Sequence, residues 1–193
     1  MIPKYATTKL KILIAVPTYK RAGSIDTIHL FDDPVLFVDS SEMELYKKEY
    51  PKTKIVEYVG SAGLTPKLNF ILEYARKNKY DAVWKIDDDF IAMSCQLEGF
   101  HTRITDKATI YQVIERMAVM AQDAGSPLFV TCPLPDIRRY NQNAPLALFC
   151  TLKIGAYGLL LNNNHLKFDE RMVMKQDMDM CLQILMTYRF FIV

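Results

Sequence analysis

The sequence predicts an α/β domain, with a mixed, mainly parallel central sheet flanked by helices, and three observations carry that prediction. Short apolar runs recur along the first half: KILIAV at 11–16, VLFV at 35–38, KIVEYV at 54–59 and DAVWKI at 81–86. Segments of helical periodicity or helix-capping chemistry separate them. Pro, Gly or Asp closes each run, as turn chemistry requires. Strands that are apolar throughout and alternate with helices are buried on both faces, which is the pattern of a parallel sheet with helical crossovers.

Taken in order, Lys11 to Val16 reads as a first strand that stops at Pro17, which cannot donate to a ladder. A short helical stretch over Ile25 to Phe31 precedes a second strand, Val35 to Val38, stopped by Asp39-Ser40. Ser41 with Glu44 three residues on has the form of a capping box, predicting a helix over Glu42 to Tyr50 that Pro51 ends. Lys54 to Val59 is the third strand, and Gly60 and Gly63 punctuate the loop after it. Thr65 is placed to cap a helix with Pro66 in its first position, and Leu68, Ile71, Leu72 and Ala75 give that helix one apolar stripe. Asp81 to Ile86 is the fourth strand, and it runs into Asp87-Asp88-Asp89.

An irregular stretch is expected from there to Asp106. Ile110, Val113, Ile114, Met117 and Ala121 then mark a second amphipathic helix, closed by Gly125. Leu128 to Thr131, Leu146 to Leu152 and Tyr157 to Leu161 read as further strands, and Met178 to Thr187 as a helix. Several strands with fewer helices between them make the second half of the sheet mixed. Pro133 to Pro145, rich in Pro, Asn and charge, is the expected mobile loop.

Composition narrows the class of protein. A chain of 193 residues, 50% hydrophobic, suits a single domain over 1–193, since domains run to about 150 residues. The apolar fraction excludes a disordered chain, and 7 Gly with 9 Pro excludes a collagen-like one. A formal charge of +2 gives no electrostatic case for nucleic acid or an acidic membrane. Cys95, Cys132, Cys150 and Cys181 are scattered, with no CxxC and no zinc-ligand spacing, so they read as single thiols in a reducing compartment. No segment approaches the ~18 apolar residues of a membrane span, and KILIAV is too short for a signal peptide, which makes the cytoplasm the expected location. The closing RFFIV is strand-like and stops without a polar tail, the end of a short protein or of one lacking its last elements.

Three stretches carry candidate chemistry. Asp87-Asp88-Asp89 ends an apolar strand, and the carboxyl ends of strands are where open α/β sheets bind ligands. Carboxylates there suit a hard divalent cation, Mg²⁺ or Mn²⁺, that in turn holds phosphate oxygens; the plainer reading is a solvated acidic turn. Pro17-Thr18-Tyr19-Lys20-Arg21 offers a hydroxyl, an aromatic ring and two cations at another strand end, suited to a base, a ribose and phosphates, or simply to solvent. Asp39 is either a ligand's hydrogen-bond partner or a helix-entry residue. Gly60-Ser61-Ala62-Gly63 has neither the dinucleotide nor the P-loop spacing. Near the end, Asp177 and Asp179 are helix N-caps or, for Asp177, a general base facing the acidic site.

The order KILIAVPTYKR, LFVDSS, GSAGLTPKLNFILEYA, VWKIDDDF and FDERMVMKQDMDMCLQIL resembles the family 2-like glycosyltransferases of the GT-A fold, from Lys11 to about Leu185. The resemblance implies a nucleotide-binding α/β sandwich that moves a sugar from a nucleotide-diphosphate donor to an acceptor hydroxyl. Position by position, Pro17, Thr18, Tyr19 and Arg21 would line the nucleotide pocket and Asp39 would bond the base. Gly63, Lys67 and Asn69 would lie near the donor. Asp87 and Asp89 match the outer positions of the DxD motif, Asp87 toward ribose or metal and Asp89 on the metal, with Asp88 between them in the cofactor pocket. Asp177 matches the acidic base of inverting members, although Gln176 stands where many have Glu.

KIDDDF and KQDMDMCLQIL also resemble the small phage and TET-associated glycosyltransferases that decorate hydroxymethylated bases in DNA. That likeness implies a modified DNA base as acceptor, with Arg138-Arg139-Tyr140 as its phosphate and stacking contact. A glycan or small-molecule acceptor remains open, as does the oligomeric state. A nucleotidyltransferase on a related sheet and a non-catalytic sugar-nucleotide-binding module are the competing classes. The first would release pyrophosphate in place of a nucleoside diphosphate; the second would bind without turnover.

Overall fold

The computed structural model describes residues 9–97, 100–131, 147–148, 156–162 and 164–193. Among these, the strands are β1 (Ile12–Pro17), β2 (Val35–Asp39), β3 (Lys54–Tyr58), β4 (Ala82–Lys85), β5 (Met93–Leu97), β6 (Phe100–Ile104), β7 (Leu128–Val130), β8 (Ala147–Leu148), β9 (Tyr157–Leu160) and β10 (Phe191–Ile192). The α-helices are α1 (Met43–Glu49), α2 (Leu64–Lys77), α3 (Lys107–Ala124) and α4 (Gln176–Tyr188).

The main sheet has the order β3-β2-β1-β4-β9-β7-β10-β8. The first four pair in parallel, β9 runs antiparallel between β4 and β7, β10 is parallel to β7, and β8 is antiparallel at the edge. The mixed, mainly parallel sheet expected from the sequence is the one observed.

Strand periodicity divides the core between two layers. Ile12, Ile14 and Val16 of β1 face a cluster with Tyr46 of α1 and Ile110, Ile114, Ala118 and Ala121 of α3. Leu13 and Ala15, one residue out of phase, face Leu68, Ile71, Leu72 and Ala75 of α2 and Met180, Cys181 and Ile184 of α4. All six residues of β1 are buried, as a strand covered on both faces must be. The stripe read on α2 is the face that packs.

Several local expectations are corrected. α2 begins at Leu64 with Gly63 at its N-cap, and the Thr65 hydroxyl donates to the Met172 carbonyl, 2.7 Å away, so it does not cap the helix. Ser41 lies in a 3-10 turn, Ser40–Glu42, and Glu44 pairs with Lys47 at 2.9 Å, so the capping box does not form. The stretch expected to be irregular before Asp106 holds the β5–β6 hairpin, a separate two-stranded sheet. Asp177 and Asp179 cap nothing with their side chains; the N-cap of α4 is Lys175, in the left-handed region at φ 64°. Of the strand expected over Leu146 to Leu152 only Ala147–Leu148 is described, and the Pro133 to Pro145 loop, with Arg138-Arg139-Tyr140, lies outside the described residues, as do Cys132 and Cys150. Cys181 is buried.

Candidate active site

β1, β2 and β4 end on the same edge of the sheet because they are parallel, and antiparallel β9 begins there, Tyr157 lying opposite Lys85. That edge gathers most of the residues singled out in the sequence. Pro17 closes β1, and Thr18 after it is buried. The Thr18 hydroxyl donates to Asp88 Oδ2 at 2.7 Å and lies 3.0 Å from the Tyr46 hydroxyl. With its one proton committed to Asp88, Thr18 receives that of Tyr46, whose oxygen in turn accepts from the Arg21 N–H at 2.9 Å. Burial pushes the Tyr46 phenol up, against its hydrogen bonds with Thr18 and Arg21, which lower it, so it stays a protonated donor. The Arg21 guanidinium completes the loop, 3.5 Å from Asp88 and 3.9 Å from Asp89.

The acidic segment is clamped from a second direction. Thr27, fully buried, donates from its hydroxyl to the Asp87 carbonyl at 2.5 Å and accepts from the Phe90 N–H at 2.9 Å, while the Asp26 N–H donates to the Asp88 carbonyl. The main chain of three adjacent carboxylates is thereby fixed while the side chains of Asp87 and Asp89 stay exposed, at 54% and 65%. Lys85, a buried cation at the end of β4, lies 2.5 Å from Asp87 and sits 5.6 Å over the Tyr157 ring.

Asp39 and Lys67 form the flank nearest β2. The Lys67 ammonium, almost wholly buried, donates to Asp39 Oδ2 and to the Thr18 carbonyl, both at 2.9 Å. It lies 5.9 Å from the ring of Tyr19, which is more than half exposed beside it. Lys67 is therefore the group that orients Asp39 and the β1 loop. Gly63, at φ 119°, opens α2 in a conformation that a side chain would strain. Asn69 is turned elsewhere. Its amide donates to the Phe168 carbonyl and to Glu170, and its oxygen accepts from the Phe168 N–H, so it anchors the segment leading to α4.

Asp177 lies in the first turn of α4, one turn before Met180 and Cys181, which pack in the same cluster as Tyr157. Burial raises the Tyr157 phenol well above its ordinary range, and the charges of Asp177 and Asp87 add to the shift. Those two carboxylates thus sit within electrostatic reach of one phenol.

No group of three or more His, Cys, Asp or Glu among the described residues is clustered as a metal cage. The donor chemistry fits a different kind of site. Two exposed carboxylates at a strand end can share a hard cation with the phosphates of a ligand, the usual arrangement for Mg²⁺. Asp89 and Asp87, the latter sharing its carboxylate with Lys85, fit that description by their exposure, and Asp88, largely buried and bonded to Thr18, does not.

Thr27, Tyr46, Lys85 and Tyr157 escaped the sequence reading as site residues. Lys85 carried a signal, a cation inside the apolar run DAVWKI. Thr27, Tyr46 and Tyr157 carried none, since a hydroxyl shows its partners only once the chain has folded.

Comparison with solved structures finds S. aureus TarS 1–349 at a TM-score of 0.54 and 15% identity, over 94% of this chain and 56% of that one. The same protein in complex with UDP-GlcNAc superposes at 0.52, with 14% identity, over 91% and 53% of the two chains. The chain thus spans little more than half the length of these structures, and the likeness establishes a shared α/β fold. No curated protein matches the sequence. Among protein families, residues 12–193 match the one described as TET-Associated Glycosyltransferase. With that match running from the first residue of β1 to the end of the chain, the protein belongs to the TET-Associated Glycosyltransferase family.

Proposed function

We propose that this chain transfers a sugar from a nucleoside-diphosphate donor to an acceptor hydroxyl by a single inverting displacement, with Asp177 as general base. The observation that carries the reading is the meeting of Thr18, Arg21, Asp39 and Asp87 to Asp89 at one sheet edge, with the charge of Asp177 reaching the same Tyr157 phenol as that of Asp87. Tyr19 and Asp39 suit a nucleobase, offering a ring face and a carboxylate that Lys67 holds in place. Arg21 suits phosphate oxygens.

Asp87 and Asp89 would hold Mn²⁺ or Mg²⁺, which when bound supplies Lewis-acid neutralisation of the departing diphosphate. In the transfer, the acceptor oxygen bonds to the anomeric carbon as the bond from that carbon to the diphosphate oxygen breaks. The bonding pair leaves with the diphosphate, and the hydroxyl proton passes to the Asp177 carboxylate. Proton removal by a placed base is worth about 10²–10⁴-fold, so Asp177→Asn should lower turnover by about that factor while donor binding survives.

The proposed acceptor is a hydroxymethylated base in DNA. The family's description, TET-Associated, supports it, and so does the primary hydroxyl such a base presents. Calorimetric titration of nucleoside diphosphates with and without Mn²⁺, on wild type and on Asp89→Ala, is the first test. Metal-dependent binding of one nucleotide, lost in the variant, is expected. A folded protein that binds no nucleotide would overturn the reading. Incubation with the donor and DNA bearing hydroxymethylated bases, beside glycan and small-molecule acceptors, then identifies the acceptor; release of pyrophosphate instead of nucleoside diphosphate would mark a nucleotidyltransferase.

A further inference from the structure

Tyr157 is a polar side chain that the mechanism above does not use. The residue is 6% exposed, and its oxygen has no hydrogen-bond partner among the described residues. Buried hydroxyls nearly always have one, and an exception asks for an explanation. Of the other unpartnered buried atoms, the indole N–H of Trp84 lies deep in the core on a side chain that is fully buried. Glu115 lies on α3 and Arg76 on α2, and the Arg76 guanidinium also donates to the Leu166 carbonyl. Tyr157 differs from all three by its address, at the head of β9 on the edge that carries the candidate site.

Its surroundings narrow what could complete it. On one side Lys85 lies over its ring and holds Asp87. On another, Phe168 packs at 6.3 Å between centroids, and the face of α4 that bears Met180 and Cys181 shares its cluster. Asp177 is one turn nearer the N-terminus of that helix. The phenol therefore feels the charges of both the carboxylate assigned to the donor's diphosphate and the one assigned to the acceptor's proton. In a displacement at an anomeric carbon, what lies between those two groups is the transferred sugar.

We propose that the Tyr157 hydroxyl is a specificity-determining donor that hydrogen-bonds an oxygen of the transferred sugar, a role that rests on the glycosyltransferase reading. The chemistry matches: burial beside two carboxylates keeps the phenol protonated, and a sugar presents oxygens that accept. An unpaired hydroxyl kept at a binding site loses stability in the free protein and regains a hydrogen bond only when the correct ligand arrives. A site built to bond a substrate oxygen discriminates strongly against donors that lack it.

Tyr157→Phe tests this with two readouts. Thermal melting of the free variant is expected at or above the wild-type temperature, since a buried unpartnered group has been removed. Calorimetry is expected to show unchanged affinity for the nucleoside diphosphate alone and an affinity for the sugar nucleotide about three- to tenfold weaker. Equal weakening toward both ligands would assign the hydroxyl to the diphosphate and overturn the sugar contact. A lower melting temperature with unchanged binding of both would make Tyr157 a purely structural residue, again overturning it while leaving the transferase reading intact. A wild-type protein that binds no sugar nucleotide overturns both.

Discussion

Thr18 sits where β1, α1 and the acidic loop meet, and the direction of its one proton decides how they are joined. Because that proton goes to Asp88, the Tyr46 proton must come to Thr18, and Arg21 is drawn in through its own N–H. Thr18→Val keeps the shape and removes the oxygen, leaving a buried phenol and a carboxylate without their shared partner. Such orphaned groups cost about 1–3 kcal/mol, and urea unfolding should show a loss of that size, with weaker nucleotide binding beside it. Thr18→Ser restores the hydroxyl and should recover most of both. If Val were as stable as wild type, the network would not be the link inferred here. The gathering of Pro17, Tyr19, Arg21, Asp39 and the three carboxylates at one end of the sheet was open to sequence reasoning because they end apolar strands. The role of Lys67 was only half legible: its cation was visible, but its burial against Asp39 was not.

At the scale of elements, one row of residues across β4, β9 and β7 holds the middle of the sheet. Trp84, Gly158 and Phe129 are register partners, and the Phe129 ring stacks on Trp84 at 5.6 Å between centroids. A Cβ on Gly158 would fall 2.0 Å from Cζ of the Phe129 ring, which is fully buried. Gly158→Ala should therefore destabilise by at least the ~1–3 kcal/mol typical of overpacking, while Leu159→Ala, one residue on, should instead leave a cavity on the opposite layer. Denaturant midpoints of the two variants check this, and a neutral Gly158→Ala would mean the ring can tilt aside. The same element shows why the strands were legible and the caps were not. Apolar runs and helical stripes report burial, which the sequence carries directly. Ser41, Thr65, Asp177 and Asp179 have capping chemistry, but other partners compete for it: Thr65 goes to Met172, more than a hundred residues away, and Gln183, one turn on in the same helix, takes Asp179. The β5–β6 hairpin was missed because its signal is short: MSCQL alternates for only five residues, and FHTRI is apolar only at its two ends.

Across the whole molecule, the candidate site draws on residues from Thr18 to Asp177, so it exists only when the complete sheet has formed. A ligand that needs all of them binds the native state alone, and its binding energy becomes folding stability. At a hundred times its Kd such a ligand adds about 2.7 kcal/mol, and for a chain of this size each kcal/mol moves the midpoint by about 2–4 °C. Nucleoside diphosphate with Mn²⁺ should therefore raise the wild-type melting temperature by several degrees. Asp89→Ala separates that linkage from damage to the fold. The Asp89 side chain is 65% exposed and meets Arg21 only at 3.9 Å; an exposed pair of that kind contributes about 0–1 kcal/mol. The free variant should melt close to wild type and lose most of the ligand-induced rise. Equal rises in both proteins would put the nucleotide away from the end of β4, and a variant that melts much lower on its own would give Asp89 a structural part that its exposure argues against.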